Sequence, residues 1–193
     1  IAIKMAAFIG KKGGKLHRQV GRVFHIAMLW IFVSALLIIS FVRFNGFLLV
    51  IAVFSYYMAF SGIRVLAIRK SNKVGRIDWV AAIMTLTFGC ALIGFGVFNM
   101  ALEGKFSALE FLSLFFGFFT ARTALESIRI FRTLEKQEKM WWWLAHMNSM
   151  GGSFIASITA FLVLNGRIFD LPNNLTWIPW VLPAMAGAPM ISY

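Results

Sequence analysis

Carboxylates are scarce in this chain: seven Asp and Glu stand against 19 Lys and Arg in 193 residues. That is too few to build a calcium or magnesium cage, which needs a crowd of oxygen ligands. Charge as a whole is thin at 13%, about half the share of an ordinary soluble domain, while 60% of the residues are hydrophobic. A water-soluble globule is excluded by that excess of apolar residues, and a disordered chain by the same figure. Cysteine occurs once, as Cys90 inside an apolar run, so no intrachain disulfide can form and nothing follows about redox compartment. No secretory signal is recognisable, and no hydrolase, kinase or dinucleotide motif is present. Lys11–Lys15 (KKGGK) lacks the lead and the following Ser or Thr of a phosphate loop, and the Gly94-Phe95-Gly96 pair of glycines lies within an apolar run.

Aromatic residues are abundant: 21 Phe and 7 Trp help to make up 16% of the chain. The mean hydropathy is +0.80. A bilayer core of about 30 Å needs about 20 apolar helical residues, and six stretches meet or approach that length: residues 20–41, 46–66, 79–102, 107–131, 141–164 and 175–193. The apolar runs lack the alternation of a membrane barrel. The expected fold is therefore all-α, a single polytopic transmembrane helix bundle. Ile1–Gly10 reads as the end of a further, seventh segment preceding the basic loop. The last stretch carries Pro179, Pro183 and Pro189, each of which removes a helical hydrogen bond, so a kink or break is expected there.

The basic residues sort onto alternate connections. Lys11, Lys12, Lys15, Arg18 and Arg22 flank the first stretch, and Arg64, Arg69, Lys70, Lys73 and Arg76 lie around the second connection. Arg122, Arg129, Arg132, Lys136 and Lys139 surround the fourth, whereas the opposite connections carry only Arg43, Lys105 and Arg167. The positive-inside rule places the rich connections in the cytoplasm, and with them the C-terminus. The surplus of positive charge is thus explained by topology and not by a nucleic-acid surface. Such loops meet anionic lipid headgroups. Trp141, Trp142 and Trp143 fall at the cytoplasmic interface, with Trp177 and Trp180 near the outer one.

Ionisable groups inside spans are expensive and call for a reason. His17, Gly21 and His25 recur at steps of four at the cytoplasmic start of the first span. His146 lies at a depth similar to His25 and precedes a face of small residues, Ser149, Gly152, Ser153, Ala156, Ser157 and Ala160, suited to close helix packing. Arg122, Glu126 and Arg129 share one helix face, as do Tyr57, Ser61 and Arg64. Asp78 adds a carboxylate where the third span begins. All of these lie on the cytoplasmic half; the outer half offers Glu103, Glu110 and Asp170 at its boundaries. A polar site, if built, opens to the cytoplasm.

The run Lys11-Lys12-Gly13-Gly14-Lys15-Leu16-His17-Arg18-Gln19-Val20-Gly21-Arg22-Val23-Phe24 resembles the opening of a family of uncharacterised bacterial integral-membrane proteins. His146-Met147-Asn148-Ser149-Met150-Gly151-Gly152-Ser153-Phe154-Ile155-Ala156 with Thr159-Ala160-Phe161, and the ending around Trp180, Pro183 and Gly187–Ile191, are similar to the same family. The resemblance implies a domain of unknown function, a further helix before the basic loop and a place in the bacterial inner membrane. It is silent on activity.

Three functions fit these residues. The first is a non-catalytic membrane subunit or assembly protein, which needs only close-packing faces and a basic cytoplasmic surface. The second is a redox protein holding b-type haem or a metal between His25 and His146, with His17 as the rival partner, since haem in a bundle takes imidazoles from facing helices. The third is a small-solute or proton-coupled transporter, with Arg122, Glu126, Arg64 and Tyr57 along its path and a broken last helix near the midplane.

Overall fold

The computed structural model describes residues 13–103, 108–166 and 178–192. Among the described residues every regular element is helical: α1 (Lys15–Phe41), α2 (Gly46–Ser71), α3 (Arg76–Glu103), α4 (Ala108–Arg132), a 3₁₀ turn (Leu134–Lys136), α5 (Trp141–Leu164) and α6 (Ile178–Ser192). The expected seventh segment, Lys105, Arg167, Asp170 and Trp177 lie outside the described residues. Two compact units divide the chain, Ile1–Ala52 and Val53–Tyr193, and the division falls inside α2.

Among the described residues, five helices are long and apolar enough to cross a membrane. Their large apolar side chains point outward: Trp30 and Met84 are each 68% exposed, and Phe98 is 62% exposed. The inward positions are held by Ala59, Ala82, Ala124, Thr120 and Ser153, all at 0%. A protein in water hides its bulk and shows its polar atoms; the reverse arrangement is stable where hydrocarbon is the solvent, because lipid tails offer large side chains no reason to turn inward. This is a membrane protein.

The helices exceed the apolar stretches at their basic ends. α1 begins at Lys15 and not Val20, α2 continues past Leu66 to Ser71, and α3 begins at Arg76 and not Trp79. Long cationic side chains reach headgroups while their backbone stays helical, so hydropathy underestimates the helix. Local chemistry sets the starts. The Asn45 side-chain oxygen accepts the Leu48 N–H at 3.0 Å, capping α2. Asp78, in the first turn of α3, accepts the Gly75 N–H at 2.9 Å, the return half of a capping box.

α6 is continuous from Ile178 to Ser192 through Pro183 and Pro189, so the expected break is absent. Pro179 stands in the first turn, where a missing N–H costs nothing. Its 15 residues rise about 22 Å, less than the hydrocarbon thickness.

In the unit from Val53 onward, α3 pairs with α4, and α5 pairs with both α2 and α6. α3 packs on α4 through small residues: a Cβ added at Gly89 would lie 2.6 Å from the backbone nitrogen of Ala121, and one at Gly117 would lie 3.0 Å from the Gly89 carbonyl oxygen. Towards one end of this seam Gly96 meets Leu114 and Ser113. Towards the other, the rings of Trp79 and Phe131 stand edge to face at 5.4 Å.

α2 packs on α5 through small residues of α5: Gly152 meets Met58, Ser149 meets Gly62, and Ser153 is fully buried. Ser153 Oγ donates across the seam to the Ser55 carbonyl at 2.8 Å. Interhelical bonds of this kind average about 0.6 kcal/mol in membrane proteins. Ser153→Ala is therefore expected to cost under about 1 kcal/mol of unfolding free energy in bicelles. A loss of several kcal/mol would show that the hydroxyl does more than join two helices.

Candidate functional site

The ends of α2, α3, α4 and α5 meet at one pole of the same unit. Arg64 reaches Asp78 through two parallel bonds, Nε to Oδ1 at 2.6 Å and Nη2 to Oδ2 at 2.8 Å. The Arg69 guanidinium lies 3.6 Å over the Trp142 ring, a cation–π contact worth about 0.5–1 kcal/mol at an exposed site. These contacts draw the α2/α3 and α4/α5 connections together, so Arg64, Arg69, Lys70, Lys73, Arg76, Arg129, Arg132, Lys136 and Lys139 all belong to this pole.

The Arg64–Asp78 pair is asymmetric. The Asp78 side chain is 1% exposed and that of Arg64 is 33% exposed, so the carboxylate is interior and the guanidinium closes over it. A lone buried carboxylate is costly, and two parallel N–H bonds with the Gly75 N–H satisfy its lone pairs. Gly75 leaves room for this: a Cβ there would lie 3.2 Å from Asp78 Oδ2 and 3.4 Å from Arg64 Nη2. Beneath the pair is a crevice lined by Tyr57, Ser61, Arg64, Ile68, Asp78 and Phe131. It has room for about one water molecule. The Tyr57 hydroxyl faces Ser127 of α4 and the Asp78 carboxylate. Ser61 donates to the Met58 carbonyl of its own helix at 3.1 Å.

Tyr57, Ser61 and Arg64 thus come together at one crevice, joined by Asp78 from the next helix. The geometry is that of a clasp over a small crevice whose walls are mostly apolar. Arg122, Glu126 and Arg129 stand apart from it, exposed on α4, and no ion pair joins them among the described residues. The long stems of the two arginines let their charged heads leave the bundle for the headgroups, so a face that looks like an intramembrane pair in sequence points outward.

The histidines fall in different compact units. His17 and His25 belong to the first, each half-buried on α1. His146 belongs to the second, where its Nδ1 lies 2.7 Å from the Gly62 carbonyl oxygen of α2. A carbonyl only accepts, so Nδ1 carries a proton and donates it to this bond. Among the described residues no group of three or more His, Cys, Asp or Glu could hold a metal ion together. Cys90 is exposed on α3.

Sequence reasoning missed two interior groups. Glu110, a boundary residue by hydropathy, is 2% exposed. Thr120 is fully buried, and its hydroxyl has no partner. Thr120 stands three residues after Gly117 and four before Ala124, and Glu110 seven before Gly117; that helical spacing was the available signal, hidden among phenylalanines. Comparison of the chain with models of protein families, with curated proteins and with solved structures gives no match.

Proposed function

We propose that this chain is a bacterial inner-membrane protein of the non-catalytic kind, a membrane subunit or assembly factor, with its polar site at the cytoplasmic leaflet. The clasped pole is the observation that carries the reading. The crevice there has room for about one water, its carboxylate is closed off by Arg64, and its outer surface is a field of lysine and arginine. Such a pole suits a surface that meets anionic headgroups or another subunit. In this reading the chain has six spans, α6 being the sixth, with the C-terminus in the cytoplasm. The likeness of Lys11–Phe24 and His146–Ala156 to a bacterial membrane family supports the same placement.

The test is extraction of the full chain from its own membranes in a mild detergent, followed by native electrophoresis and mass determination. A subunit migrates in a stoichiometric assembly that Arg69→Gln/Lys70→Gln/Lys73→Gln weakens. Migration as a lone chain that is insensitive to these changes would overturn the reading.

One observation favours a second reading, in which His146 is a ligand of b-type haem. Ligating histidines commonly donate their other ring N–H to a backbone carbonyl, as His146 does to Gly62. A Soret band that sharpens with α and β bands on dithionite reduction, and that His146→Ala abolishes, is the expected result. A featureless spectrum of protein purified from haem-replete cells removes this reading.

A further inference from the structure

The clasped pole carries cations that the protein itself does not neutralise. The α2/α3 connection, residues 69–76, has four Lys and Arg and no carboxylate. The α4/α5 connection, residues 129–140, has four more, against two carboxylates, Glu135 and Glu138. Eight positive charges against two negative leave a net +6. Among the described residues none of the eight is in an ion pair; the pair at this pole is Arg64–Asp78.

One of these cations is held in a fixed place. The Arg69 guanidinium lies 3.6 Å over the Trp142 ring, the contact distance of stacked planes. Arg69 comes from the last turn of α2 and Trp142 from the first turn of α5, so two helices position the pair. Arg69 is exposed, and neither residue gives a hydrogen bond to the described residues. A stacked guanidinium keeps its N–H donors in its own plane, directed past the edge of the ring. That leaves a fork of the shape that grips a phosphate by two bonds. Lys70, Lys73 and Lys139 add charge on flexible stems, without such a fork.

Depth identifies the partner. Trp142 opens a helix long enough to cross a membrane, so the stacked pair stands at the level of the headgroups, where an indole prefers to sit. The phosphate that occupies that level is the phosphodiester of a phospholipid. A surplus of positive charge around it favours a headgroup with a net negative charge over a zwitterionic one. We infer that Arg69 and Trp142 form a discrete binding site for one anionic phospholipid of the phosphatidylglycerol class, its phosphate held by the Arg69 fork. This deepens the reading of the pole as a surface at the membrane leaflet and rests on it.

The test uses the full chain, delipidated in detergent, titrated with dioleoyl phosphatidylglycerol and followed by native mass spectrometry. Dioleoyl phosphatidylcholine and inorganic phosphate are the comparison probes. The expected result is one phosphatidylglycerol per chain, held at least about tenfold more tightly than phosphatidylcholine and not displaced by inorganic phosphate. Arg69→Lys keeps the charge and loses the fork, and should weaken binding about tenfold. Trp142→Leu removes the platform and should do the same. Arg132→Gln removes a charge and leaves the pair intact, so it should weaken binding less than Arg69→Lys does. Arg69 is exposed, so its variant keeps the fold and decides the matter even where Trp142→Leu does not. Equal affinity for the two lipids, displacement by inorganic phosphate, or a loss in Arg132→Gln as large as in Arg69→Lys would overturn the proposal. No partner subunit enters this measurement. Failure to hold the lipid therefore leaves the assembly reading standing, and migration as a lone chain leaves the lipid site standing.

Discussion

Gly89→Leu is expected to yield no folded protein, and Gly89→Ala to cost about 2–3 kcal/mol. The atoms a Cβ would strike are the backbone nitrogen of Ala121 at 2.6 Å and its Cα at 3.0 Å. Neither can swing aside as the end of a flexible side chain would. The only relief is separation of α3 from α4, which opens the Gly117 contact on Gly89 and Ile93 at the same time. Gly94 is the control, five residues along the same helix with nothing within 4 Å of its Cβ position. Gly94→Ala should be neutral or stabilising by up to about 1 kcal/mol, the helical preference of alanine over glycine. Fluorescence-detected size exclusion and thermal melting in detergent report both. A Gly89→Leu protein that elutes and melts like the parent would mean that α3 and α4 are not in backbone contact.

The second large effect concerns the clasp. Arg64→Met leaves the Asp78 carboxylate buried without its counter-charge, a loss of about 3 kcal/mol, the lower end for a broken buried pair because Arg64 is partly exposed. Asp78→Asn is milder, at about 1 kcal/mol, since the amide oxygen still accepts the Gly75 N–H and Arg64 is free to reach the headgroups. The double variant should regain most of what Arg64→Met loses, because no charge is left stranded. Melting of the four proteins in one detergent measures the cycle. Equal and additive losses from the two single variants would show that the pair lies in water and contributes little.

Helix content and membrane character were legible because they depend on sums over 20 or more residues. The close-packing face of α5 was legible too: its small residues recur at helical spacing, and Ser153 and Ala156 are indeed interior. The α3/α4 seam was not. Its glycines and alanines are interleaved with Phe95, Phe98, Phe115 and Phe118, which face lipid and make each helix look apolar all round. Arg64 and Tyr57 were visible as one face, and Asp78 as a nearby carboxylate, but their union needs the turn at Gly75, which spacing does not encode. Arg122 and Glu126 illustrate the opposite failure. Spacing showed them sharing a face, and only the packing of α4 tells which way that face points.

The buried positions of α3 are Asp78, Ala82, Thr85, Gly89 and Gly96, and those of α4 include Glu110, Ser113, Gly117, Thr120 and Ala124. Both sets recur every seven residues, in alternating steps of three and four. A straight α-helix drifts about 20° per seven residues against such a repeat. To stay in contact, α3 and α4 must coil about each other with a left-handed sense, at the shallow crossing angle of about 20° found in coiled coils. The handedness of this pair is thus set by the period of its small residues, while the lipid-facing phenylalanines leave it unconstrained.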